Sequence, residues 1–454
     1  MQYKPHQIVA DEFLRAFPRA ILGDEPGVGK TFPAIRVSYE IANSPRLVVT
    51  PEYLQRNWVR EIEAIVPQAK VVVVSGAITP TRKHEILNNA QQYDFVLVTY
   101  ATLSQRTRTT LANGSIDEQM AYPEILTVPW GCVVCDEAHL LRGRNSQSTA
   151  TMYKLSKLLE RLWLLTGTPL VNNAGDVFPL LKLLEPRSFT SYWRFVEQFC
   201  NISYTPWATL VNGVKNEEQF NATLQRYMLR RTLSEVTGNA IPEPIMVPIY
   251  VELTATTLKA LKLAKDEYRL QRTPESEEEP LTSAGAVVSA MRQLVAVDKN
   301  KLKAFKQLCN DAAQEPLIVW CWYRATVKLL LEQLPKNRPV WCIDGDVSAA
   351  KRELMCDEWR TFPNGVIIAT LGSLSLGQNL QHAAETIFYE QDWLPSTNLQ
   401  GLSRLRRLGQ LRQVTVRVLI GERSVDVHVQ RVQSKRFKSI NRALFEEILL
   451  ENED

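Results

Sequence analysis

The 454-residue sequence predicts an α/β fold with two parallel-sheet lobes and helical insertions. Two series of short apolar runs support this prediction, because polar segments of helical length separate the runs. A stretch with mostly helical character, residues 176–300, lies between the two series. We therefore expect a first lobe over residues 1–235 and a second lobe over residues 236–454.

Each apolar run is rich in Val, Leu or Ile and is predicted to form one strand. The predicted strands of the first lobe are 47–49, 71–74, 95–98, 132–135 and 162–165, and those of the second are 317–320, 340–343, 365–369, 386–389 and 414–419. Continuous apolar strands are typical of parallel sheets that helices cover on both faces. In such sheets a ligand binds at the carboxyl ends of the strands.

A glycine-rich segment near the N-terminus, Gly-Asp-Glu-Pro-Gly-Val-Gly-Lys-Thr, indicates a nucleotide site. Gly27 and Gly29 let the backbone N–H groups point at phosphate, and Lys30 adds a positive charge for the β- and γ-phosphates. The Thr31 hydroxyl is a candidate ligand of Mg²⁺. The strict phosphate-loop pattern has Gly where this chain has Asp24, which we include among the nucleotide-binding candidates. The segment predicts ATP and Mg²⁺ as cofactors.

A second motif, Asp-Glu-Ala-His, follows the predicted strand 132–135. Asp136 is the predicted partner of Mg²⁺, and Glu137 is predicted to orient the attacking water. A glycine-rich turn alone can arise by chance, but the pair of motifs indicates nucleotide hydrolysis. Cys132 and Cys135 form a C-x-x-C in the same run. A strand would point them to opposite faces, which disfavours a redox or zinc role.

Further segments follow in the order found in Snf-type superfamily 2 DNA translocases, which the chain resembles over nearly its whole length. They include Tyr-Lys-Pro-His-Gln at 3–7, Thr-Pro-Glu-Tyr-Leu-Gln-Arg-Asn-Trp-Val-Arg-Glu at 50–61, Leu-Leu-Thr-Gly-Thr-Pro-Leu at 164–170, Met-Leu-Arg-Arg at 228–231 and Asp-Trp-Leu-Pro at 392–395. The resemblance implies RecA-like lobes and an ATP-hydrolysing enzyme. It also implies that Gln7 contacts the adenine edge.

The last matching segment, Gln-Gly-Leu-Ser-Arg-Leu-Arg-Arg-Leu-Gly-Gln, supplies two candidate arginine fingers. Arg404 and Arg407 are three apart on a predicted helix and therefore share a face. Such arginines stabilise charge on a transferring phosphoryl group. The alternative is a solvated basic stripe, since Arg406 and Arg412 lie nearby.

The resemblance also implies double-stranded or branched DNA as the partner, held mainly through phosphates. The residues at matching positions are Thr50, Thr99, Tyr100, Arg142, Thr168, Asn379 and Trp393. The hydroxyls could instead cap helices or satisfy core groups, and Trp58 fits a core role better than base stacking. Ser403 and Arg406 depart from the family pattern, as does the segment 370–380.

Composition sets broad limits on function. The net charge of +4 is only weakly basic, and the seven cysteines form no evident disulfide framework. No segment has the roughly 20 apolar residues that would span a bilayer, so we expect no membrane partner. We expect a cytoplasmic protein of a bacterial or phage-infected cell, or a nuclear protein of a eukaryote. The acidic stretch 275–279 is expected to be a dispensable spacer.

Three functions remain open from sequence. The first is an ATPase that translocates on duplex DNA and remodels branched DNA or displaces bound protein. The second is a strand-separating helicase that loads on single-stranded DNA, and the third is a binding protein with a degenerate ATP site. The motifs begin near residue 3 and leave few residues after the last, so we expect a motor without reader domains.

Overall fold

A computed structural model describes residues 4–43, 45–76, 78–110, 115–170, 173–204, 209–270, 284–374, 378–431 and 433. The described residues divide into two compact units between Val236 and Thr237. We call these the first unit and the second unit. The acidic stretch 275–279 and Gly377 lie outside the described residues.

The first unit is built on a parallel sheet of seven strands in the order β11-β1-β8-β7-β2-β4-β3. Two antiparallel hairpins, β5–β6 and β9–β10, stand apart from this sheet. The strands are β1 (Arg19–Leu22), β2 (Arg46–Val49), β3 (Val71–Val74), β4 (Phe95–Val98), β5 (Arg106–Thr110), β6 (Ile116–Met120), β7 (Cys132–Asp136), β8 (Leu162–Leu165), β9 (Asn201–Tyr204), β10 (Thr209–Asn212) and β11 (Met228–Leu229).

Helices cover both faces of this sheet and connect its strands. They are α1 (Pro5–Ala16), α2 (Thr31–Ile41), α3 (Gln55–Ile65), α4 (Pro80–Asn88), α5 (Tyr100–Ser104), α6 (Gln147–Ser156), α7 (Phe178–Leu184), α8 (Tyr192–Phe199), α9 (Glu217–Gln225) and α10 (Leu233–Thr237), the last ending at the unit boundary.

Alternate residues of a buried strand enter two different cores. In β7, Val133 and Cys135 belong to one apolar cluster, whereas Cys132 and Val134 belong to the other. The prediction that Cys132 and Cys135 point to opposite faces is therefore confirmed. Burial raises the pKa of the Cys132 thiol to about 12, which keeps it in the unreactive thiol form.

The second unit is built on a parallel sheet of six strands in the order β12-β17-β16-β13-β15-β14. Apolar clusters again cover both faces. Its strands are β12 (Ile245–Val251), β13 (Leu317–Cys321), β14 (Val340–Ile343), β15 (Val366–Thr370), β16 (Glu385–Phe388) and β17 (Thr415–Gly421). Its helices are α11 (Ala255–Leu270), α12 (Ala284–Ala296), α13 (Lys299–Asp311), α14 (Arg324–Leu331), α15 (Ala349–Trp359), α16 (Leu371–Leu374) and α17 (Pro395–Leu402).

The predicted fold class, two parallel-sheet lobes with helices, is confirmed, and every predicted strand is present within one or two residues. The expectation of a mostly helical stretch over 176–300 is wrong for β9 to β12. β12 pairs along its whole length with β17 and forms an edge of the second sheet. Its Pro248 lacks an N–H group, and such a residue is tolerated at a sheet edge although it argues against a strand in sequence.

None of the helices in the described ranges is long and apolar enough to cross a membrane.

Candidate nucleotide and nucleic-acid site

The register of the first sheet brings the two predicted motifs to one edge. Leu165 of β8 pairs with Leu22 of β1 on one side and with Asp136 of β7 on the other. The phosphate loop begins directly after Leu22. Since neighbouring strands lie about 4.8 Å apart, the start of this loop and the Asp136 backbone are separated by about 10 Å.

The loop between β1 and α2 has the backbone that phosphate binding requires. Gly27 and Gly29 both have φ of 89°, a left-handed conformation that favours glycine. The Lys30 Nζ donates to the carbonyl oxygens of Asp24 at 2.7 Å and Glu25 at 3.2 Å. Thr31 is the first residue of α2, so its hydroxyl lies at a helix N-terminus, where anions bind readily.

The charges of three carboxylates act on the Lys30 ammonium. Burial lowers the pKa of Lys30, while the charges of Glu137, Asp24 and Asp136 act in the opposite direction. The loop lysine and both acidic residues of the second motif are therefore within electrostatic reach of one another.

The Asp136 carboxylate is held at both oxygens. Its Oδ2 accepts a hydrogen bond from Trp58 Nε1 at 2.8 Å, and its Oδ1 accepts one from the Glu137 N–H at 2.9 Å. The Tyr100 hydroxyl donates to the Asp136 carbonyl at 2.7 Å. Glu137 has a φ of 51°, which turns the chain sharply after β7. The strand end is thus held by Trp58 and Tyr100 from two other segments and by the N–H of the next residue.

Burial raises the pKa of the Asp136 carboxyl to about 6, and the Glu137 carboxylate adds to the rise. The Trp58 hydrogen bond and the Lys30 charge favour the ionised form and lower the pKa. A buried carboxylate of this kind is a suitable ligand for a divalent cation, whose charge would favour ionisation.

His139 links the acidic motif to the end of β8. Its Nδ1 lies 3.3 Å from Glu137 Oε2 and 3.2 Å from Thr166 Oγ1. Thr166 Oγ1 also accepts a hydrogen bond from the Thr168 N–H at 3.2 Å. Next to it, a Cβ placed on Gly167 would lie 2.5 Å from Pro26 Cγ, so only glycine lets this segment approach the phosphate loop so closely.

The Asp24 side chain is bound by Arg231. Arg231 donates from Nε at 3.1 Å and from Nη2 at 2.6 Å, and Asp24 is only 1% exposed. The third nitrogen of the guanidinium donates to the His6 carbonyl at 2.7 Å, and the His6 ring contacts the Val28 carbonyl at 2.9 Å. Asp24 therefore shapes the loop through Arg231, and its contact with nucleotide stays a prediction.

The main chain of the loop is bound along the segment that follows β11. Gly23 N donates to Leu229 O at 2.8 Å, and Glu25 N donates to Arg231 O at 2.9 Å. The Glu25 carboxylate in turn accepts from the Leu233 N–H at 2.8 Å. The segment Met-Leu-Arg-Arg at 228–231, which had no predicted role beyond its resemblance to the family, thus supports the phosphate loop.

Gln7 contacts the same loop. Its Nε2 donates to Gly29 O at 3.3 Å, and its Oε1 accepts from the Lys4 N–H at 3.0 Å. The side chain is buried next to the loop, where α1 begins. Its contact with adenine stays a prediction.

The prediction that Arg404 and Arg407 lie on a helix is wrong, whereas their role as arginine fingers stays a prediction. Helix α17 ends at Leu402, and Arg404 and Arg407 occupy the turns that follow. Their carbonyls are tied to a neighbouring segment: Arg404 O accepts from Leu380 N at 2.9 Å, and Arg407 O accepts from Gln381 Nε2 at 3.2 Å. Gly409, with φ of 102°, allows the chain to turn after them.

The other two arginines of this segment are paired within the second unit. Arg406 forms an ion pair with Glu243, and Arg412 forms one with Glu315 at 2.9 Å. These pairs support a structural role for Arg406 and Arg412, so they can serve as comparisons for Arg404 and Arg407.

The DNA-binding candidates of the first unit lie after strands of the sheet, but their hydroxyl groups differ in whether they have a hydrogen-bond partner. Thr99 Oγ1 caps α5 by accepting from Thr102 N at 3.0 Å, and the Tyr100 hydroxyl is bound to Asp136. In contrast, the buried hydroxyls of Thr50 and Thr168 have no hydrogen-bond partner among the described residues. Arg142 is partly exposed at the end of a short 3₁₀ turn that follows the acidic motif.

Two candidates belong to the second unit. Asn379 is exposed, and its Nδ2 donates to Gln381 Oε1 at 2.8 Å. Trp393 is partly buried and lies near the Arg292 guanidinium, with 5.9 Å between that group and the ring centroid. Both side chains thus lie next to polar or charged neighbours, and their contact with DNA stays a prediction.

Sequence reasoning missed Trp58 and Arg231. The first was assigned to the core, and the structure indeed buries it, but its indole N–H contacts Asp136. The second was quoted without a role. The one available signal was Asp24 itself, since a carboxylate in place of glycine in a phosphate loop needs a cation nearby.

The fold and the site define a nucleotide-hydrolysing α/β protein. Two family models match its sequence: the SNF2-related domain over residues 7–300 and the helicase conserved C-terminal domain over residues 300–409. The first match covers more than half of the chain, so the chain belongs to the SNF2-related family. The predicted resemblance is confirmed, and the chain is an ATP hydrolase of the helicase-like class.

Relatives of this chain include proteins that are much longer. The CHD3-type chromatin-remodeling factor PICKLE of Arabidopsis thaliana is 24% identical over an alignment of 491 residues, gaps included, which covers 95% of this chain and 33% of that protein. The DNA annealing helicase and endonuclease ZRANB3 of Homo sapiens is 24% identical over 420 residues, which cover 90% of this chain and 37% of that protein. The chain thus spans about a third of the length of these two relatives.

Among solved structures, the chain is similar to the Sulfolobus solfataricus SWI2/SNF2 ATPase core in complex with dsDNA. The identity is 21% and the TM-score 0.46, and the match covers 99% of this chain and 93% of that one.

Replacing Arg231 with Ala is expected to lower the free energy of unfolding by about 3 kcal/mol, because it leaves the Asp24 carboxylate buried without its cation. Denaturant unfolding measures this loss. Arg226→Ala, which removes an exposed arginine of the same unit, is the control and should change little. In Asp24→Asn/Arg231→Ala, the loss should be smaller than the sum of the two single changes. Additive losses would contradict the pairing.

Proposed function

We propose that this chain is a DNA-dependent ATPase that translocates on duplex DNA and thereby remodels branched DNA or displaces bound proteins. The observation that carries the ATPase part of the proposal is the register of Leu22, Leu165 and Asp136, which brings the phosphate loop and the acidic motif to one sheet edge. The annealing helicase among the relatives supports the branched-DNA activity, and the chromatin-remodeling factor supports protein displacement. That second relative also favours the nuclear alternative for location.

ATP and Mg²⁺ fit the residues at this edge. The loop N–H groups around Gly27 and Gly29, with Lys30, would hold the β- and γ-phosphates. Thr31 and Asp136 would hold Mg²⁺ through oxygen atoms, the ligands this ion prefers, and the ion would neutralise phosphate charge. Glu137 would orient the attacking water, with His139 beside its carboxylate at 3.3 Å.

Arg404 and Arg407 of the second unit would stabilise the charge that develops on the transferring phosphoryl group. Their main chains are held by Leu380 and Gln381, and Arg406 and Arg412 have ion-pair partners of their own. We assign the finger role to Arg404 and Arg407 because they stand at the matching motif positions, and not to the whole basic stripe.

Duplex DNA would be bound through its phosphates. Thr50 and Thr168 would contribute at their motif positions, and their hydroxyls, which are buried in this structure, would have to become accessible for a phosphate oxygen to reach them. Arg142 would add a positive charge. Asn379 and Trp393 would contribute from the second unit, and Thr99 and Tyr100 would contribute through main-chain or ring contacts. Such contacts fix position and carry no sequence information.

The substrate class is tested by comparing single-stranded, duplex and four-way-junction DNA as activators of ATP hydrolysis. We expect duplex and junction DNA to stimulate turnover strongly and single strands to stimulate it less. The apparent affinity for DNA should fall steeply with salt concentration, because phosphate contacts release counterions. Stimulation by single strands alone would contradict duplex binding.

Unwinding assays separate the proposed activity from that of a strand-separating helicase. A labelled four-way junction should be resolved only with hydrolysable ATP, whereas a partial duplex with a single-stranded tail should resist unwinding. Efficient unwinding of the partial duplex, with the junction left intact, would favour the alternative helicase.

A further inference from the structure

We propose that Trp58 is a positioning residue for the divalent cation of the nucleotide site, because its indole N–H orients the Asp136 carboxylate that binds the cation. The inference rests on the proposed function, since it takes Asp136 as the cation ligand. Trp58 Nε1 lies 2.8 Å from Asp136 Oδ2, although the two residues are 78 positions apart in sequence. Trp58 acts through Asp136.

The sequence of α3 explains why Trp58 reaches this carboxylate. Gln55, Trp58 and Ile62 are the buried residues of this helix, and their spacing of three and four places them on one face. Asn57 Nδ2 donates to Glu61 Oε1 at 2.7 Å, so these two polar side chains of the Asn-Trp-x-x-Glu segment satisfy each other on the helix. The tryptophan extends to the end of β7, where it contacts Asp136.

The geometry leaves the carboxylate one orientation. Among the described residues, the Oδ2 atom of Asp136 accepts a hydrogen bond from Trp58 and the Oδ1 atom accepts one from the Glu137 N–H. A carboxylate has about four lone-pair sites, so a cation can still be bound when two are occupied. An indole N–H can only donate a hydrogen bond, so in this pair the tryptophan is always the donor and the carboxylate is always the acceptor. The side chain is thereby held ready for the cation before it arrives.

Removal of such a supporting hydrogen bond typically weakens metal binding about 10- to 100-fold. In this chain the effect should be separable from simple core packing, because another tryptophan offers a matched control. Trp163 lies in the same apolar cluster and is completely buried. Its Nε1 donates to the main-chain carbonyl of Phe17 at 3.1 Å and not to a side chain of the site.

The test compares Trp58→Phe with Trp163→Phe in the full chain. Each change keeps an aromatic ring and removes one buried indole hydrogen bond. Binding of Mn²⁺ in the presence of a non-hydrolysable ATP analogue is measured by electron paramagnetic resonance. The Mg²⁺ concentration for half-maximal ATP hydrolysis is measured in parallel. We expect Trp58→Phe to weaken cation binding about tenfold or more, and Trp163→Phe to leave it within about twofold of wild type. Binding of the analogue in EDTA should be similar in both variants.

Equal cation binding by the two variants would overturn the inference. Asp136→Asn separates this failure from a failure of the proposed function: if it weakens Mn²⁺ binding while Trp58→Phe does not, the cation site stands and the role of Trp58 falls. Unchanged Mn²⁺ binding in Asp136→Asn would overturn the cation site as well. If Trp58→Phe does not fold, 3-benzothienylalanine at position 58 replaces the N–H with sulfur at nearly constant shape, and the same expected and contradicting results apply.

Discussion

ATP hydrolysis is expected to fall by at least about 100-fold when Lys30 is replaced with Ala, because the variant lacks the ammonium group that stabilises the negative charge developing on the phosphates. The Lys30 Nζ lies on the carbonyls of Asp24 and Glu25, at the centre of the loop. Its loss therefore removes a loop contact together with the charge. Turnover at saturating ATP and affinity for a fluorescent ATP analogue are both measured, and both should decrease.

Glu137→Gln should separate binding from chemistry at the same site. The amide keeps the shape of the side chain but cannot take a proton from water, so we expect turnover to fall about 100-fold or more while nucleotide affinity stays near wild type. Lys70→Ala, which changes an exposed lysine of the same unit, is the control for both variants. Hydrolysis near the wild-type rate in either Lys30→Ala or Glu137→Gln would refute the assignment of the site.

Arg404→Ala and Arg407→Ala are expected to lower kcat by about a thousandfold while nucleotide affinity changes little, because a finger acts on the transition state. The measurement is DNA-stimulated turnover at saturating ATP, with nucleotide binding determined separately. Both residues lie after the end of α17, and their carbonyls accept hydrogen bonds from Leu380 and Gln381, so the variants change side chains whose main chain is held in place.

Arg412→Ala is the matched control for the two finger variants. Arg412 lies just after the same segment, is exposed, and pairs with Glu315. A surface pair of this kind contributes at most about 1 kcal/mol to stability, so this variant should retain wild-type turnover. If Arg404→Ala or Arg407→Ala behaves like Arg412→Ala, that arginine belongs to a basic stripe.

The sequence predicted most of the fold because parallel strands buried on both faces have an unmistakable apolar pattern. Strands β3, β4, β8 and β14 have the predicted bounds. Strands β1, β11 and β12 were not predicted from sequence, nor were the hairpin strands β5, β6, β9 and β10. β11 has only two residues and β12 contains Pro248, whereas β1 is as long as β3, β4, β8 and β14. The positions of β1, β11 and β12 depend on pairing with β8, β1 and β17, which are distant in sequence and leave no local signal.

The helix predicted for Arg404 and Arg407 fails for a related reason. A spacing of three is compatible with helical periodicity, but it does not show where a helix ends. Here α17 ends before Arg404, and Gly409 turns the chain a few residues later. The glycine was visible in sequence, whereas the carbonyl contacts with Leu380 and Gln381 could not be.

For the site, sequence motifs identified the residues but not the groups that hold them. Gly27 and Gly29 have the left-handed backbone that the loop requires, and the contact of Lys30 with phosphate stays a prediction. The partners of Asp136 and Asp24 come from α3 and from the segment after β11, and only the folded chain shows that Trp58 and Arg231 reach these carboxylates. Motif matching cannot detect such pairs, because neither partner lies in the phosphate loop or the acidic motif.

Displacement of a fluorescent third strand from blunt-ended duplex DNA tests the central claim most directly, since it reports movement along a duplex without any need for strand separation. The wild-type chain should displace the third strand with ATP and fail to do so with a non-hydrolysable analogue. Glu137→Gln should bind the DNA and leave the third strand in place. An intact third strand under conditions where duplex DNA stimulates wild-type ATP hydrolysis would contradict translocation, and so would displacement by Glu137→Gln.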